Sequence, residues 1–273
     1  MDAPGSALGT YLRARRRLIT PESAGLPREP GRRVHGLTRE EVAELARISP
    51  AYYTRLEQGR GGHPSMQVLR AIAEALELDG FAVEYMSRLS SRESSTIRDR
   101  TASGRAEVDP TLVALLDQWP QNPAIVADPN QDIAASNSLA RSLGTRGFAI
   151  GLNLLVLAFS PQVRAIQPEW EDTVNELVAA FRYHGDPRDP RFTQILATLT
   201  VSAAEFPEIW ARHDARPFTE RMIRVPVTGV GLVDLNSQRF AVPDRPGWEV
   251  GVMFAPPGSE AAVRLAVLAE RAP

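Results

Sequence analysis

Between Thr38 and Arg60 the chain reads T-R-E-E-V-A-E-L-A-R-I-S-P-A-Y-Y-T-R-L-E-Q-G-R, and no other stretch restricts the local fold as tightly. Thr38 followed three residues later by Glu41 is a capping box: the hydroxyl accepts an orphan N–H at the helix start and the glutamate reaches back to the cap. Val42, Leu45 and Ala46 then share one helical face. Ser49 is a second N-cap, Pro50 fits the first helical turn because its missing N–H has no partner to lose, and Gly59 suits the left-handed residue that closes a helix. Two short helices joined by Arg47-Ile48-Ser49 are therefore expected. Tyr53 and Leu56 face the core of the second helix. That leaves Ala51, Tyr52, Thr54 and Arg55 pointing outward, and it gives Glu57 the task of tying the helix to its neighbours.

The flanks extend the helical pattern. Leu8, Leu12 and Leu18 or Ile19 mark a first helix stopped at Thr20-Pro21, and Ser65 caps an apolar series through Met66, Leu69, Ile72, Ala73, Leu76 and Leu78. Phe81, Tyr85 and Leu89 make one more, giving five helices in about 85 residues, an ordinary size for a small domain. A short helix entered through a tight turn is the unit that places its second helix in the major groove of DNA. Arg55 can donate two hydrogen bonds to guanine O6 and N7, and Ala51 or the ring of Tyr52 can meet a thymine methyl. Residues 20–37 form a proline- and glycine-rich insert carrying Arg28, Arg32, Arg33 and His35. Its arginines fit phosphate contact or a minor-groove reach, or else a solvated loop. Arg13, Arg15, Arg16 and Arg17 cannot all face one way on a helix, so one or two are expected at phosphate and the rest in solvent.

Charge agrees with a DNA-binding front half. All 31 basic residues are arginine, and residues 1–105 carry a net +4 whereas 106–273 carry −6. Only the front is thus expected to meet a polyanion. The absence of cysteine excludes disulfides and thiol chemistry. No signal-peptide pattern opens the chain, because arginines break its first apolar stretch, and the longest apolar run, Phe148 to Phe159, is too short for a bilayer. It reads as a buried core segment. A Ser-, Thr- and Arg-rich stretch divides the chain into residues 1–90, a linker at 91–108 and residues 109–273.

In the back half, Ala124–Ala127 and Asp132–Ala135 read as strands around the turn Asp128-Pro129-Asn130, with a helix from Ser138 to Leu143. Helical patterns follow over 152–159, 170–183 and 191–200. Antiparallel strands are expected at 222–225, 230–235 and 250–254, and a closing helix at 259–270.

The Thr38–Arg60 motif, followed by H-P-S-x-x-V-L-x-A-I-A-x-A-L, resembles the Xre family of bacterial helix-turn-helix regulators. The insert and the Y-Y-T-R-L-E-Q-G-R signature resemble those members that carry an MmyB-like ligand-binding domain. L-N-L-L-V-L-A-F-S-P, P-E-W from Pro168, F-P-E-I-W-A-R-H-D-A-R, V-P-V-T-G and F-A-V-P-D extend that resemblance across residues 109–273. It implies an N-terminal all-α, lambda-repressor-like helix-turn-helix domain joined to a C-terminal PAS-like mixed α/β sensor domain that accommodates a small hydrophobic effector, with fatty acids the expected class. Ser136, Val225 and Leu235 depart from the family's pattern, which leaves the effector's identity open.

The residues expected at DNA are Thr38, Arg39, Ser49, Pro50, Ala51, Tyr52, Thr54, Arg55 and Arg60, with Arg32 and Arg33 from the insert. Those expected at the effector are Asn137, Trp210, His213 and Arg216. If the segment around His213 is helical, the tryptophan, histidine and arginine share a face and can hold a carboxylate; a packed tryptophan beside a structural histidine fits equally well. Catalytic signatures are missing: there is no G-x-S-x-G elbow, no phosphate-binding G-K pair, and the four histidines lack metal-ligand spacing. The expectation is a non-enzymatic, cofactor-free, metal-free cytoplasmic and nucleoid-associated regulator. It would act as a homodimer on palindromic double-stranded DNA without contacting membrane. The rival is the same regulator with a back domain that only dimerises and binds no ligand.

Overall fold

The computed structural model describes residues 6–27, 32, 34–94, 108–144, 147–227 and 229–270; Arg28, Arg33 and most of the expected linker lie outside them. The chain divides into two compact units. The first is Met1–Arg100 with Pro207–Arg216, the second Thr101–Phe206 with Pro217–Pro273.

The first unit contains α1 (Ala7–Leu18), α2 (Arg39–Leu45), α3 (Pro50–Glu57), α4 (Met66–Ala75) and α5 (Gly80–Ser94). Local chemistry sets their ends as expected. Thr38 Oγ1 accepts from Glu41 N at 3.2 Å, and a Glu41 carboxylate oxygen accepts from Thr38 N at 2.7 Å. Ser49 caps α3 with Pro50 behind it, and Ser65 caps α4. α2 closes through Ile48 N–H to Ala43 C=O and Arg47 N–H to Glu44 C=O, with Arg47 left-handed at φ 53°. That is a Schellman turn made without glycine; α3 closes the same way at Gly59, φ 72°. Tyr11, Leu12, Tyr53, Leu56, Leu69 and Met86 fill the core. Gly9 lets α1 meet α3: a Cβ there would lie 2.3 Å from the Glu57 carbonyl oxygen.

The second unit is an antiparallel five-stranded sheet with helices, an α+β arrangement. Its strands are β1 (Ala124–Ala127), β2 (Ile133–Ser136), β3 (Arg221–Val227), β4 (Gly231–Ala241) and β5 (Glu249–Phe254), in the order β2-β1-β5-β4-β3. The helices are α6 (Pro110–Asp117), α7 (Ser138–Ser142), α8 (Leu154–Ala158), α9 (Pro161–Ile166), α10 (Trp170–His184), α11 (Pro190–Ser202), α12 (Phe206–Ala211, most of which falls in the first unit) and α13 (Glu260–Ala269). Period-two alternation gives the sheet two apolar faces. Leu116 of α6 covers Ala124, Val126, Ala135 and Val250 on one face. Ile125, Val225, Val233, Leu235 and Met253 lie on the other, with Leu143, Leu154 and Leu265. β3 is an edge strand, and the buried Gln167 side chain takes the place of a neighbour: it donates to Met222 O at 3.1 Å and accepts from Arg224 N at 3.0 Å.

Candidate nucleic-acid interface and effector cavity

α3 presents the surface that its sequence implies. Tyr53, Leu56 and Glu57 are buried, while Ser49, Pro50, Ala51, Arg55 and Arg60 are exposed and Tyr52 and Thr54 are half-buried. The Arg55 guanidinium lies 5.8 Å from the centre of the Tyr52 ring, so the two side chains stand together on the outward face. Thr38 spends its hydroxyl on the α2 cap, and Arg39 spends its Nε on Glu57 Oε2 at 2.7 Å while remaining partly exposed.

Several arginines turn inward instead. Arg32 is 8% exposed at its side chain. Its guanidinium donates to Gly36 O at 2.6 Å, Glu41 Oε2 at 2.7 Å and Val34 O at 3.0 Å. It ties the insert to the start of α2, which corrects the expectation of an Arg32 phosphate contact: Glu41 is a nearer and better-desolvated anion. On α1, Arg16 pairs with Glu57, Arg15 with Asp214, and Arg13 reaches the Glu57 carbonyl at 3.4 Å. The expectation that most of these arginines are solvated is corrected in the same way.

Of the expected effector residues, Asn137 falls in the second unit and Trp210, His213 and Arg216 in the first. Asn137 is 3% exposed, and its amide is saturated. Oδ1 accepts from Ala140 N and Ala124 N, and Nδ2 donates to the carbonyls of Leu116, Trp119 and Asn122. It N-caps α7 and ties it to the loop after α6, so it has no donor or acceptor left for a ligand. α12 ends at Ala211, and His213 is left-handed at φ 55°, so Trp210, His213 and Arg216 share no helical face. All three belong to the first unit, where Arg15 holds the segment through Asp214 and through the Arg212 carbonyl at 3.1 Å.

The second unit contains a cavity of about 790 Å³ with none of those four residues in its wall. Its floor is the sheet: Ile125, Ile223, Val225, Ser237, Gly251 and Met253. Leu154, Leu157 and Ala158 of α8, Val163 and Ile166 of α9 and Leu177 of α10 form the opposite wall, and Phe148 and Phe218 complete it. The volume lies within the range of small-molecule sites, which are mostly apolar with a few placed polar groups.

One of those polar groups is charged and buried. Arg239 of β4 lines the cavity, its side chain 7% exposed. It donates to Glu249 Oε2 at 3.2 Å and lies 4.2 Å from the Phe218 ring centre. Burial pulls the Arg239 pKa below the ordinary arginine value, against the attraction of Glu249. Burial also works against the Glu249 carboxylate, but contact with His184 and the Arg239 charge outweigh it and hold its pKa below the usual value. His184 Nε2 lies 3.3 Å from Glu249 Oε1. Sequence reasoning passed over Arg239, yet a signal existed. Val233, Leu235, Ser237 and Arg239 alternate along one strand, which puts an arginine on its apolar face. Among the described residues no cluster of acidic or histidine side chains can hold a metal ion, and no helix is long and apolar enough to cross a membrane.

Residues 108–268 match the family described as the MmyB-like transcription regulator ligand binding domain, and residues 7–85 match a helix-turn-helix domain family. No curated protein matches the chain.

Proposed function

The chain belongs to the family of the MmyB-like transcription regulator ligand binding domain, with a helix-turn-helix domain ahead of it, and on that premise we propose that it is a one-component regulator whose back domain senses a small hydrophobic, fatty-acid-like effector. The observation that carries this is the cavity: about 790 Å³, walled by aliphatic and aromatic side chains, in a chain whose other unit offers an exposed α3 face with Arg55 at its centre. The strand order β2-β1-β5-β4-β3, with α8, α9 and α10 beside the cavity, supports a PAS-like sensor. We assign residues 1–90 to DNA and 109–273 to the effector, apart from Pro207–Arg216, which belongs to the first unit.

We place the protein in the cytoplasm as a homodimer, with two copies of α3 set about 34–36 Å apart on a palindromic operator. An effector acts on such a dimer only if it prefers the DNA-competent or the DNA-incompetent arrangement, and DNA then changes effector affinity by the same factor.

Native mass spectrometry of the purified protein, followed by solvent extraction, tests the sensor. The expected result is a stoichiometric apolar or amphiphilic compound that shifts operator affinity when added back. A protein that purifies empty, dimerises and binds its operator identically with and without added C8–C18 acids would leave the back domain as a dimerisation module alone.

A further inference from the structure

We propose that Arg239 is the head-group anchor of the cavity: its guanidinium pairs with the carboxylate of the effector while the effector's apolar part fills the remaining space. The proposal rests on the cavity being the site of a fatty-acid-like effector, and it adds the residue that holds the head group and the orientation of what binds there.

Other arginines in the structure show what a satisfied guanidinium looks like. Arg16 reaches both oxygens of Glu57 and the Leu37 carbonyl. Arg221 takes both oxygens of Glu176, at 3.1 and 2.7 Å. Arg224, which also touches the cavity, is matched by both oxygens of Asp234. Arg239 is as buried as any of these, yet it makes one hydrogen bond, a 3.2 Å contact from Nη1 to Glu249. One face of the guanidinium is covered by Phe218. A guanidinium carries five N–H donors in a planar fork, and among the described residues no further acceptor takes the others. Nε and Nη2 are thus left to whatever occupies the cavity that Arg239 lines. The depressed pKa fits a cation whose lost hydration the protein has only partly replaced.

The neighbours leave room for an anion. Arg239 pairs across the sheet with Gly251, which has no side chain to stand in the way. Ser237, two residues earlier on the same strand, lines the cavity beside it and offers a hydroxyl. A planar carboxylate meets the open edge of a guanidinium with two parallel N–H···O bonds. The rest of the wall near the sheet is Ile125, Ile223, Val225 and Met253, which suits a hydrocarbon chain.

Isothermal titration of the full chain with dodecanoic acid and with 1-dodecanol tests the assignment, because the two probes share a chain and differ in the head. Acid should bind roughly 10- to 100-fold tighter than alcohol, the span expected of a charge-assisted pair. Arg239→Gln alone strands Glu249, so Arg239→Gln with Glu249→Gln is the working variant. It should lose the preference for acid and keep the affinity for alcohol. Arg239→Lys, with charge but no fork, should keep part of the preference. Leu157→Trp fills the cavity and should weaken both probes. Equal affinity of the parent for acid and alcohol, with Leu157→Trp abolishing both, overturns the head-group anchor and leaves the cavity as the site. A preference for acid that survives in the double variant also overturns it, placing the head elsewhere. If neither probe binds the parent, the cavity reading and the anchor fall together.

Discussion

Arg16 of α1 and Glu57 of α3 form a fork-to-fork ion pair in the interior of the first unit, Nε to Oε1 at 2.6 Å and Nη2 to Oε2 at 3.3 Å. Glu57 is fully buried, and Arg39 of α2 completes the arrangement at 2.7 Å, so one carboxylate fixes three helices relative to one another. The angle at which α3 presents Arg55 therefore depends on a residue that touches no base. A buried charge is costly on its own but geometrically demanding when paired, and demanding geometry is what a docking helix requires.

Glu57→Gln should destabilise the first unit by about 3 kcal/mol, the cost of leaving two cations short of their anion. Burial raises the Glu57 pKa, but hydrogen bonds from Arg16 and Arg39 outweigh it and hold the carboxyl below its usual 4.5. A depressed carboxylate stabilises the fold above its unfolded pKa, and that contribution disappears as pH falls through the lower folded value. Parent and variant melts should therefore differ at pH 7 and converge in strong acid. A gap of equal size at both ends would mean that the charge is not what holds the helices.

Arg32→Ala should leave the salt dependence of operator binding unchanged, where loss of a phosphate contact would lower the slope by about one. Its effect should be on stability, about 1–3 kcal/mol for hydrogen bonds to a charged group. The hydrogen bond from Arg32 is also the largest influence on Glu41, whose carboxyl is lowered to about 2. In the parent, the capping box thus stays charged until pH falls well below 4. In the variant the carboxyl should protonate at a higher pH than in the parent, and the loss of stability should begin there. Thermal melts at pH 7, 4 and 3 separate the two, and a reduced salt slope would return Arg32 to the DNA.

What was legible in the sequence was what a few adjacent residues decide. Thr38 with Glu41, and Ser49 with Pro50, determine where α2 and α3 begin because cap chemistry acts within three residues. The turn Asp128-Pro129-Asn130 set off β1 and β2 for the same reason, whereas β4 runs on to Ala241, past the expected 230–235. Arg16 and Glu57 lie 41 residues apart, and neither residue type signals a partner at that distance. Asn137 is expected at the effector from the family resemblance alone, and a capping asparagine and a ligand-binding one look the same in sequence; only the backbone carbonyls that converge on its amide tell them apart. Trp210, His213 and Arg216 depended on helical spacing that stops at Ala211. α6 and α9 were not anticipated, although Asp109-Pro110 and Ser160-Pro161 carry the same cap-and-proline start as Ser49-Pro50.

Arg55→Ala should reduce discrimination between operator and scrambled DNA by about 1–3 kcal/mol, the worth of a bidentate contact to guanine. The side chain is exposed and packs against the Tyr52 ring, so its removal should cost the fold little. Fluorescence titrations on both DNAs, paired with a melt, test this directly. Equal loss of affinity for operator and scrambled DNA would reduce Arg55 to a phosphate contact.

The turn between β1 and β2 should respond to pH in the opposite sense from Glu57. Asp128 Oδ1 accepts from Asn130 N and Asp132 N, both at 2.9 Å, and so shapes the turn. Burial pushes its carboxyl up to about 6; the charges of Asp132 and Asp189 push the same way, and the two backbone hydrogen bonds only partly oppose them. A folded pKa above the unfolded 3.8 means that the folded state carries this charge at a cost above pH 6. The cost is about 3 kcal/mol for a shift of this size, and it is relieved as pH falls from 6 toward 4. Asp128→Asn keeps an acceptor oxygen for both N–H groups and removes the charge. The variant should melt above the parent at pH 7.5, by about 1–3 kcal/mol of added stability. That advantage should shrink between pH 6 and 4.5 as the parent's carboxyl takes up its proton. A constant difference across that range would place the Asp128 pKa near its ordinary value and assign the turn's stability to its hydrogen bonds alone.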